Sequence, residues 1–232
     1  MLEEKLNIPV IIDNDCNTLA LAEYWFGDGE NLNSFITLNV DYGIGAGIMI
    51  NGQLFHGSNF GAGQIGHTIV QDNGSLCSCG NYGCLETISS ELSIIEKVKI
   101  KIKKGFPSLI TEIAKSPDHI TLNHLYEAAK QNDQLALSIL ETASRYLGIG
   151  ISTLVNVFNP EKVILTGGIL RGQDAVMNPE KVILTGGILR GQDAVMQPLT
   201  ESFHTHALLT NIDHLEIVRP FRNSPIQTWS TS

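Results

Sequence analysis

Apolar and polar positions follow two different periods along the chain, and together they predict a mixed α/β protein. Short apolar runs bounded by turn residues predict strands at 9–13, 34–40, 45–50 and 162–168. The strands at 34–40 and 45–50 are joined through Asp41-Tyr42-Gly43, and Asn51-Gly52 predicts a hairpin turn after the second of them. Apolar residues spaced three to four apart predict helices at 15–26, 90–104, 121–130, 133–158 and 197–209.

Several residues at helix ends and within one helix refine these predictions. Ser90 is expected to cap the helix that follows it, and Asn132 or Asp133 to cap the long helix that ends before a proline. Gly148 and Gly150 lie inside that long helix and lower its intrinsic propensity. A close contact with a neighbouring element is the expected reason for them.

One segment occurs twice without a single change. NPEKVILTGGILRGQDAVM occupies residues 159–177 and again 178–196. Natural repeats of this length usually drift in sequence and occur three or more times, so two identical copies indicate a recent duplication or an artefact. One sheet position holds only one KVILTGG strand. The other copy must therefore add a strand, bulge out as a loop, or remain poorly ordered.

Composition and charge exclude some classes of function. The chain has 232 residues, 43% of them hydrophobic, enough for one large or two small domains with a real core. A net charge of -9 without a basic stripe makes nucleic-acid binding by this chain a poor hypothesis. The start lacks a signal-peptide pattern, and no apolar stretch approaches the roughly 18 residues that span a bilayer. We expect a soluble cytoplasmic protein with reduced thiols and no membrane partner.

Three of the four cysteines and one histidine share the segment GHTIVQDNGSLCSCGNYGCLE at 66–86. The spacing of His67, Cys77, Cys79 and Cys84 predicts a closed tetrahedral site for structural zinc, with no position left for an activated water. Unliganded loop cysteines and a redox pair are the alternatives. Cys16 lies apart and is expected to be a small buried residue. A metal would order this glycine-rich loop and fix the position of Glu86, which follows it.

The motifs G-x-G-x-I-G-H at 61–67 and C-x-C-G-N-x-G-C-L-E at 77–86 resemble those of the ROK family of repressors, open reading frames and kinases. Within it the chain is most similar to the N-acetylglucosamine-responsive repressors, over about residues 8–215. The resemblance implies an actin-like, ribonuclease H-like α/β fold with a sugar in the cleft between two lobes. This chain would be a partial version, mainly the C-terminal lobe with its zinc-pinned loop.

The resemblance also assigns residues. His67, Cys77, Cys79 and Cys84 match the zinc ligands, and the sugar-binding positions match Asn14, Asp15, Gln64, His67 and Glu86. Asp15 would be the catalytic base only in a kinase. Gln64 stands where many members have glutamate, which leaves the sugar preference open. Taken singly, Asn14 and Asp15 would more often form a turn or a helix cap, and Gln64 or Glu86 would be solvated.

The resemblance leaves a choice between a kinase and a sensor. Where kinases carry Gly-Thr-Gly, this chain has Asp41-Tyr42-Gly43, which opposes ATP by like charge and bulk. The first glycine motif of the kinases and the winged helix-turn-helix of the repressors are expected to be absent from this chain. We therefore expect a non-catalytic domain that senses a sugar or sugar phosphate, acts as a homo-oligomer, and reaches DNA only through a module outside it. The alternatives are a sugar kinase that uses ATP and Mg²⁺, and an inactive remnant.

Overall fold

The computed structural model describes residues 2–167, 183–184 and 193–207. Its centre is a mixed sheet with the strand order β3-β2-β1-β4-β5, in which β2 runs antiparallel to its two neighbours and the pairs β1/β4 and β4/β5 are parallel. The strands are β1 (Phe35–Val40), β2 (Ile44–Ile50), β3 (Gln53–Leu54), β4 (Lys162–Thr166) and β5 (Ile183–Leu184).

The helices confirm the periodic segments of the sequence and add three short ones. They are α1 (Leu2–Leu6), α2 (Asp15–Phe26), α3 (Glu86–Ser89), α4 (Glu91–Lys103), α5 (Ile110–Ala114), α6 (Leu122–Lys130), α7 (Gln134–Phe158) and α8 (Asp193–His206). Single 3-10 turns occur at Ile65–His67 and Pro117–His119. Within the described ranges, none of the helices combines the length and the apolar character that a membrane crossing requires.

The two faces of the sheet are covered by different elements. On one face, Ala20 of α2 packs with Phe35, Met49 and Ile164 of three neighbouring strands. On the other face, a larger core joins the opposite side of the strands to α4, α6, α7 and α8. Strand β1 is buried on both sides: Ile36, Leu38 and Val40 enter the larger core, whereas Phe35 and the polar residues Thr37 and Asn39 alternate with them on the other face.

The strand predicted at 9–13 was wrong. Residues 9–14 have no regular secondary structure, and Ile11 and Ile12 are 92% and 88% exposed. An apolar run becomes a strand only when a neighbouring strand accepts its hydrogen bonds. Among the described residues no strand lies beside this segment, so its apolar side chains face solvent.

The predicted caps and the predicted glycine contact are confirmed. Asp133, rather than Asn132, caps α7 by accepting a hydrogen bond from the Ala136 N–H at 2.8 Å, and Ser90 caps α4. A Cβ on Gly148 would lie 2.7 Å from the Leu199 carbonyl oxygen of α8. Helices α7 and α8 therefore approach each other more closely than any side chain at Gly148 would allow.

The second copy of the repeat contributes a strand. In the parallel pairing of β4 with β5, Ile164 faces Ile183 and Leu165 faces Leu184, so each residue lies opposite its own counterpart 19 positions later. Of the three possible outcomes for the second copy, the structure therefore shows an added strand. The rest of KVILTGG in that copy, residues 168–182 between the two strands, and the C-terminal tail FRNSPIQTWSTS lie outside the described residues.

Removal of one copy, residues 178–196, should leave the fold intact. Between the end of β4 and α8 lie the 26 residues 167–192, and the deletion of 19 residues shortens this connection to seven without changing either element's sequence. Loop closure then becomes more favourable by about 1 kcal/mol, which offsets the lost pairing of the two-residue strand β5. Thermal unfolding followed by circular dichroism should remain cooperative, with a Tm within about 5 °C of the parent.

Leu165→Asp in the shortened chain is the control, because it places an unpaired charge in a fully buried position and should abolish cooperative unfolding. Loss of cooperative unfolding in the shortened chain itself would show that the second copy is required for folding.

Candidate metal centre and adjoining pocket

The four predicted metal ligands lie together. One ligand atom from each of His67, Cys77, Cys79 and Cys84 falls within 4.8 Å of all the others. The Sγ atoms of Cys79 and Cys84 are 3.7 Å apart, and His67 Nδ1 is 3.5 Å from Cys77 Sγ. A tetrahedral zinc with ordinary bond lengths requires an S···S distance of about 3.8 Å and an N···S distance of about 3.6 Å. The cluster therefore has the size that a tetrahedral metal ion fits.

Two glycines give the loop the shape that this convergence requires. Gly80 and Gly83 adopt φ values of 94° and 74°, a region that other residues rarely enter. The loop also contains short antiparallel bridges, Leu76 with Tyr82 and Ile69 with Cys84. The chain turns back on itself twice, which returns Cys84 to the 3-10 turn that carries His67.

The thiol environments differ within the cluster. Burial raises the pKa of the Cys84 thiol to about 12, whereas a hydrogen bond from the Asn81 backbone N–H lowers the pKa of the exposed Cys79. A buried thiol with so high a pKa stays protonated unless a cation compensates the thiolate, which is the role of a bound divalent metal. Burial also raises the pKa of Cys16 to about 12, with the Asp15 carboxylate adding to the shift. As expected, Cys16 is buried and apart from the cluster.

A pocket of about 320 Å³ adjoins this centre. Four of the five predicted sugar-binding residues line it: Asn14, Asp15, Gln64 and Glu86. His67 is not among the lining residues and belongs to the metal cluster. Sequence elements far apart in the chain thus meet at one place.

Local structure positions each of these polar groups. Asn14 caps α2, because its Oδ1 accepts a hydrogen bond from the Cys16 N–H, and this leaves its side-chain amide N–H groups as donors. Capping and ligand binding are therefore compatible roles for this residue. Glu86 begins α3 directly after the buried residues Cys84 and Leu85, and its Oε2 accepts a hydrogen bond from the Ile44 N–H at 3.1 Å.

Two further groups lie in this region: Asp41, which the sequence indicated only as an obstacle to phosphate, and the pair Asp13 and His56, which it did not indicate. Asp41 lines the pocket, and its Oδ1 is enclosed without a hydrogen-bond partner in the described part of the chain. Next to the pocket, Asp13 and His56 are joined by a 2.8 Å contact between Oδ2 and Nε2. Hydrogen bonds from Asn17 and His56 lower the pKa of Asp13. In the sequence, the position of Asp41 at the end of a buried strand is the feature that could have made it a candidate for the site. No sequence feature made His56 a candidate.

Comparisons with known proteins agree on the family. The sequence model of the ROK family matches residues 1–177. The chain is 40% identical over 166 residues to the xylose repressor of Caldicellulosiruptor bescii, 37% over 176 to the N-acetylglucosamine regulator NagC of Escherichia coli, and 36% over 177 to a glucokinase of Halalkalibacterium halodurans. These alignments cover 71–76% of this chain.

Solved structures of ROK-family proteins have the same fold as this chain. A ROK-family transcriptional regulator, a homologue of the E. coli MLC protein, superposes with a TM-score of 0.78 at 27% identity, over 96% of this chain and 51% of its own. A ROK glucokinase from Streptomyces griseus, in complex with glucose and AMPPNP, gives 0.71 at 27% identity, over 89% and 61%. The predicted partial actin-like α/β fold is confirmed.

The chain spans about half the length of the curated relatives it matches, 41–54% of the three named above. Repressors and kinases both occur among these relatives, so the likeness alone does not separate the two activities. The family itself is shown by the match over 177 of 232 residues and by the three alignments. The chain belongs to the ROK family.

Proposed function

We propose that this chain is the sugar-sensing, non-catalytic domain of a ROK-family transcriptional repressor. Its ligand is a sugar, with amino sugars and sugar phosphates as the candidates, bound in the pocket beside the metal centre. The supporting observation is the chemistry of the turn between β1 and β2, where a kinase would hold phosphate groups.

Phosphoryl transfer requires free backbone N–H groups and cations around the phosphates. At this turn the Ile44 N–H already donates to the Glu86 carboxylate, and the Asp41 N–H donates to the Gly43 carbonyl oxygen at 2.9 Å. The turn also carries the Asp41 carboxylate, a charge of the same sign as a phosphate. Tyr42 adds an exposed bulky side chain at the same place. The occupied N–H groups and the negative charge of this turn thus disfavour the binding of a triphosphate.

The same pocket suits sugar hydroxyls. Each hydroxyl both donates and accepts a hydrogen bond, so it is matched by amides together with carboxylates. The pocket offers amides from Asn14 and Gln64 and carboxylates from Asp15 and Glu86. Its volume falls within the roughly 300–1,000 Å³ of small-molecule sites.

The metal in this proposal is zinc with a structural role. Three thiolates and one imidazole form the donor set that zinc prefers, and four protein ligands leave no position for a reactive water. His67, Cys77, Cys79 and Cys84 would hold it. Its contribution is to order the loop and thereby to hold Glu86 against the turn.

A sugar kinase is the second candidate, favoured by the glucokinase relative and by the place of Asp15 in the pocket. Asp15 would then be the base, and ATP with Mg²⁺ would be needed. An inactive remnant is the third. In the preferred reading, sugar binding shifts the relative position of two lobes, the protein is a cytoplasmic homo-oligomer, and DNA is bound through a module outside these residues.

Purified protein should contain about one zinc per chain, measured by elemental analysis. Removal of the metal with a chelator should lower the Tm by roughly 10 °C, because the loop and the attachment of α3 lose their order. Cys84→Ser should lose the metal in the same way.

Cys16→Ser is the matched control, since it alters a buried thiol outside the cluster and should retain zinc. A folded protein without any bound transition metal would refute the structural role of zinc.

Asp15→Asn should weaken sugar binding by about 10- to 100-fold, because it removes a charged hydrogen-bond acceptor. Calorimetry with glucose, N-acetylglucosamine, its 6-phosphate and N-acetylmannosamine measures this on the zinc-loaded protein. Asp118→Asn, an exposed carboxylate outside the pocket, should bind as the parent does.

A coupled ATP assay with the same sugars separates the candidates. We expect no turnover. Turnover that Asp15→Asn abolishes would overturn the sensor in favour of the kinase, and failure of every sugar to bind would leave the inactive remnant.

A further inference from the structure

Among the described residues, the charged side chains that line the pocket are all acidic. Three of the lining residues, Asp15, Asp41 and Glu86, carry carboxylates, and no lysine, arginine or histidine lines it within the described ranges. The amides of Asn14 and Asn39 add neutral polar groups. The carboxylates come from three separate elements: the start of α2, the turn after β1 and the start of α3. A ligand in the pocket therefore lies in a negative field.

Of the three carboxylates, that of Asp41 has a buried oxygen whose hydrogen-bonding capacity is unsatisfied among the described residues. Its Oδ1 is enclosed and has no hydrogen-bond partner among the described residues. Its backbone is fixed on both sides, because its N–H donates to the Gly43 carbonyl oxygen and its own carbonyl oxygen accepts from the Glu91 N–H at 2.8 Å. The side chain is thus held at the pocket, and a carboxylate with one enclosed, unpartnered oxygen among the described residues is costly until a positive charge comes close to it.

The other two carboxylates already accept hydrogen bonds from backbone N–H groups. Glu86 already accepts the Ile44 N–H, and Asp15 is exposed at the pocket mouth and accepts the Cys16 N–H through Oδ1. Water and these donors partly satisfy both groups. Asp41 is therefore the carboxylate for which a positively charged ligand group makes the greatest difference.

We infer that the pocket selects its ligand by charge. An amino sugar with a free ammonium group, which pairs with Asp41, binds more tightly than a neutral sugar, and a sugar phosphate binds most weakly. An ammonium supplies three donors and a compact positive charge, which compensates the charge of a carboxylate whose Oδ1 has neither solvent nor a partner among the described residues. A phosphate would bring negative charge into the field of three carboxylates. This inference rests on the proposed sugar site and narrows the class of its ligand.

A metal cation alone is a poorer match. The pocket, at about 320 Å³, is far larger than an ion needs, and the amides of Asn14, Asn39 and Gln64 match hydroxyl groups. The hydroxyls of a hexosamine use these amides while its ammonium group uses Asp41.

Calorimetry tests the inference on the zinc-loaded 232-residue protein, at a pH where the amine is protonated. The ligands are glucosamine, glucose, N-acetylglucosamine and the 6-phosphates of both amino sugars. Glucosamine should bind about tenfold more tightly than glucose or N-acetylglucosamine, as expected for one charge-assisted contact. Both phosphates should bind more weakly than their parent sugars.

Asp41→Asn keeps the shape of the side chain and removes the charge. The preference for glucosamine over glucose should then fall to about twofold or less, because Asp15 and Glu86 already have donors and contribute little of it. Asp118→Asn should keep the tenfold preference. Zinc content and Tm, measured on each variant, show that both remain folded. The ratio in the unmutated protein is a test that does not depend on any variant.

Several outcomes would overturn the inference. These are equal binding of glucosamine and glucose, tighter binding of a phosphate, a preference that survives Asp41→Asn, or Mg²⁺ that displaces glucosamine. In each case a sugar still binds, so the proposed sensor stands. If no sugar binds to the folded, zinc-loaded protein, the proposed function fails and this inference fails with it.

Discussion

The convergence of His67 with Cys84 is the constraint on which the rest of the site depends. These residues are the two ends of a loop that has little apolar surface of its own, and the Ile69–Cys84 bridge together with the Leu85 N–H to Thr68 carbonyl hydrogen bond brings the ends together. In the proposed function, a shared metal ion would fix them further. Leu85 follows directly, is fully buried, and lies where Gly150 of α7 leaves room for it. Glu86 then reaches the Ile44 N–H. One cluster thus connects the loop, the long helix and the edge of the pocket within three residues.

Gly43 takes part in the same contact, because a side chain there would have to displace the flexible end of Glu86 from the Ile44 N–H. A Cβ there would lie 2.8 Å from Glu86 Oε2, inside the normal contact distance. The turn after β1 and the start of α3 are therefore fitted to each other. Because α3 begins only two residues after Cys84, we expect a change in the metal cluster to reach the pocket through this contact.

The sequence predicted what depends on local pattern. Periodic helices with a polar cap, such as α4 after Ser90 and α7 after Asp133, require only their own residues, and the cluster spacing is a local motif. The exposed segment at 9–13 could not be predicted, because a strand depends on a partner elsewhere. The unpartnered oxygen of Asp41 was hidden for the same reason: hydrogen bonding to a side chain is decided by tertiary neighbours. In the sequence, Asp41 was only an obstacle to phosphate.

The family shares one fold between repressors and kinases, so the fold cannot decide between the two activities. The decision lies in the few groups at the turn between β1 and β2. A phosphate-binding turn presents open N–H groups to an anion, whereas here one such N–H is occupied by Glu86 and a second carboxylate, Asp41, is enclosed beside it. The field that disfavours a nucleotide also favours a positively charged ligand. In our proposal, loss of phosphoryl transfer and selectivity for an amino sugar are therefore two consequences of the same pair of carboxylates.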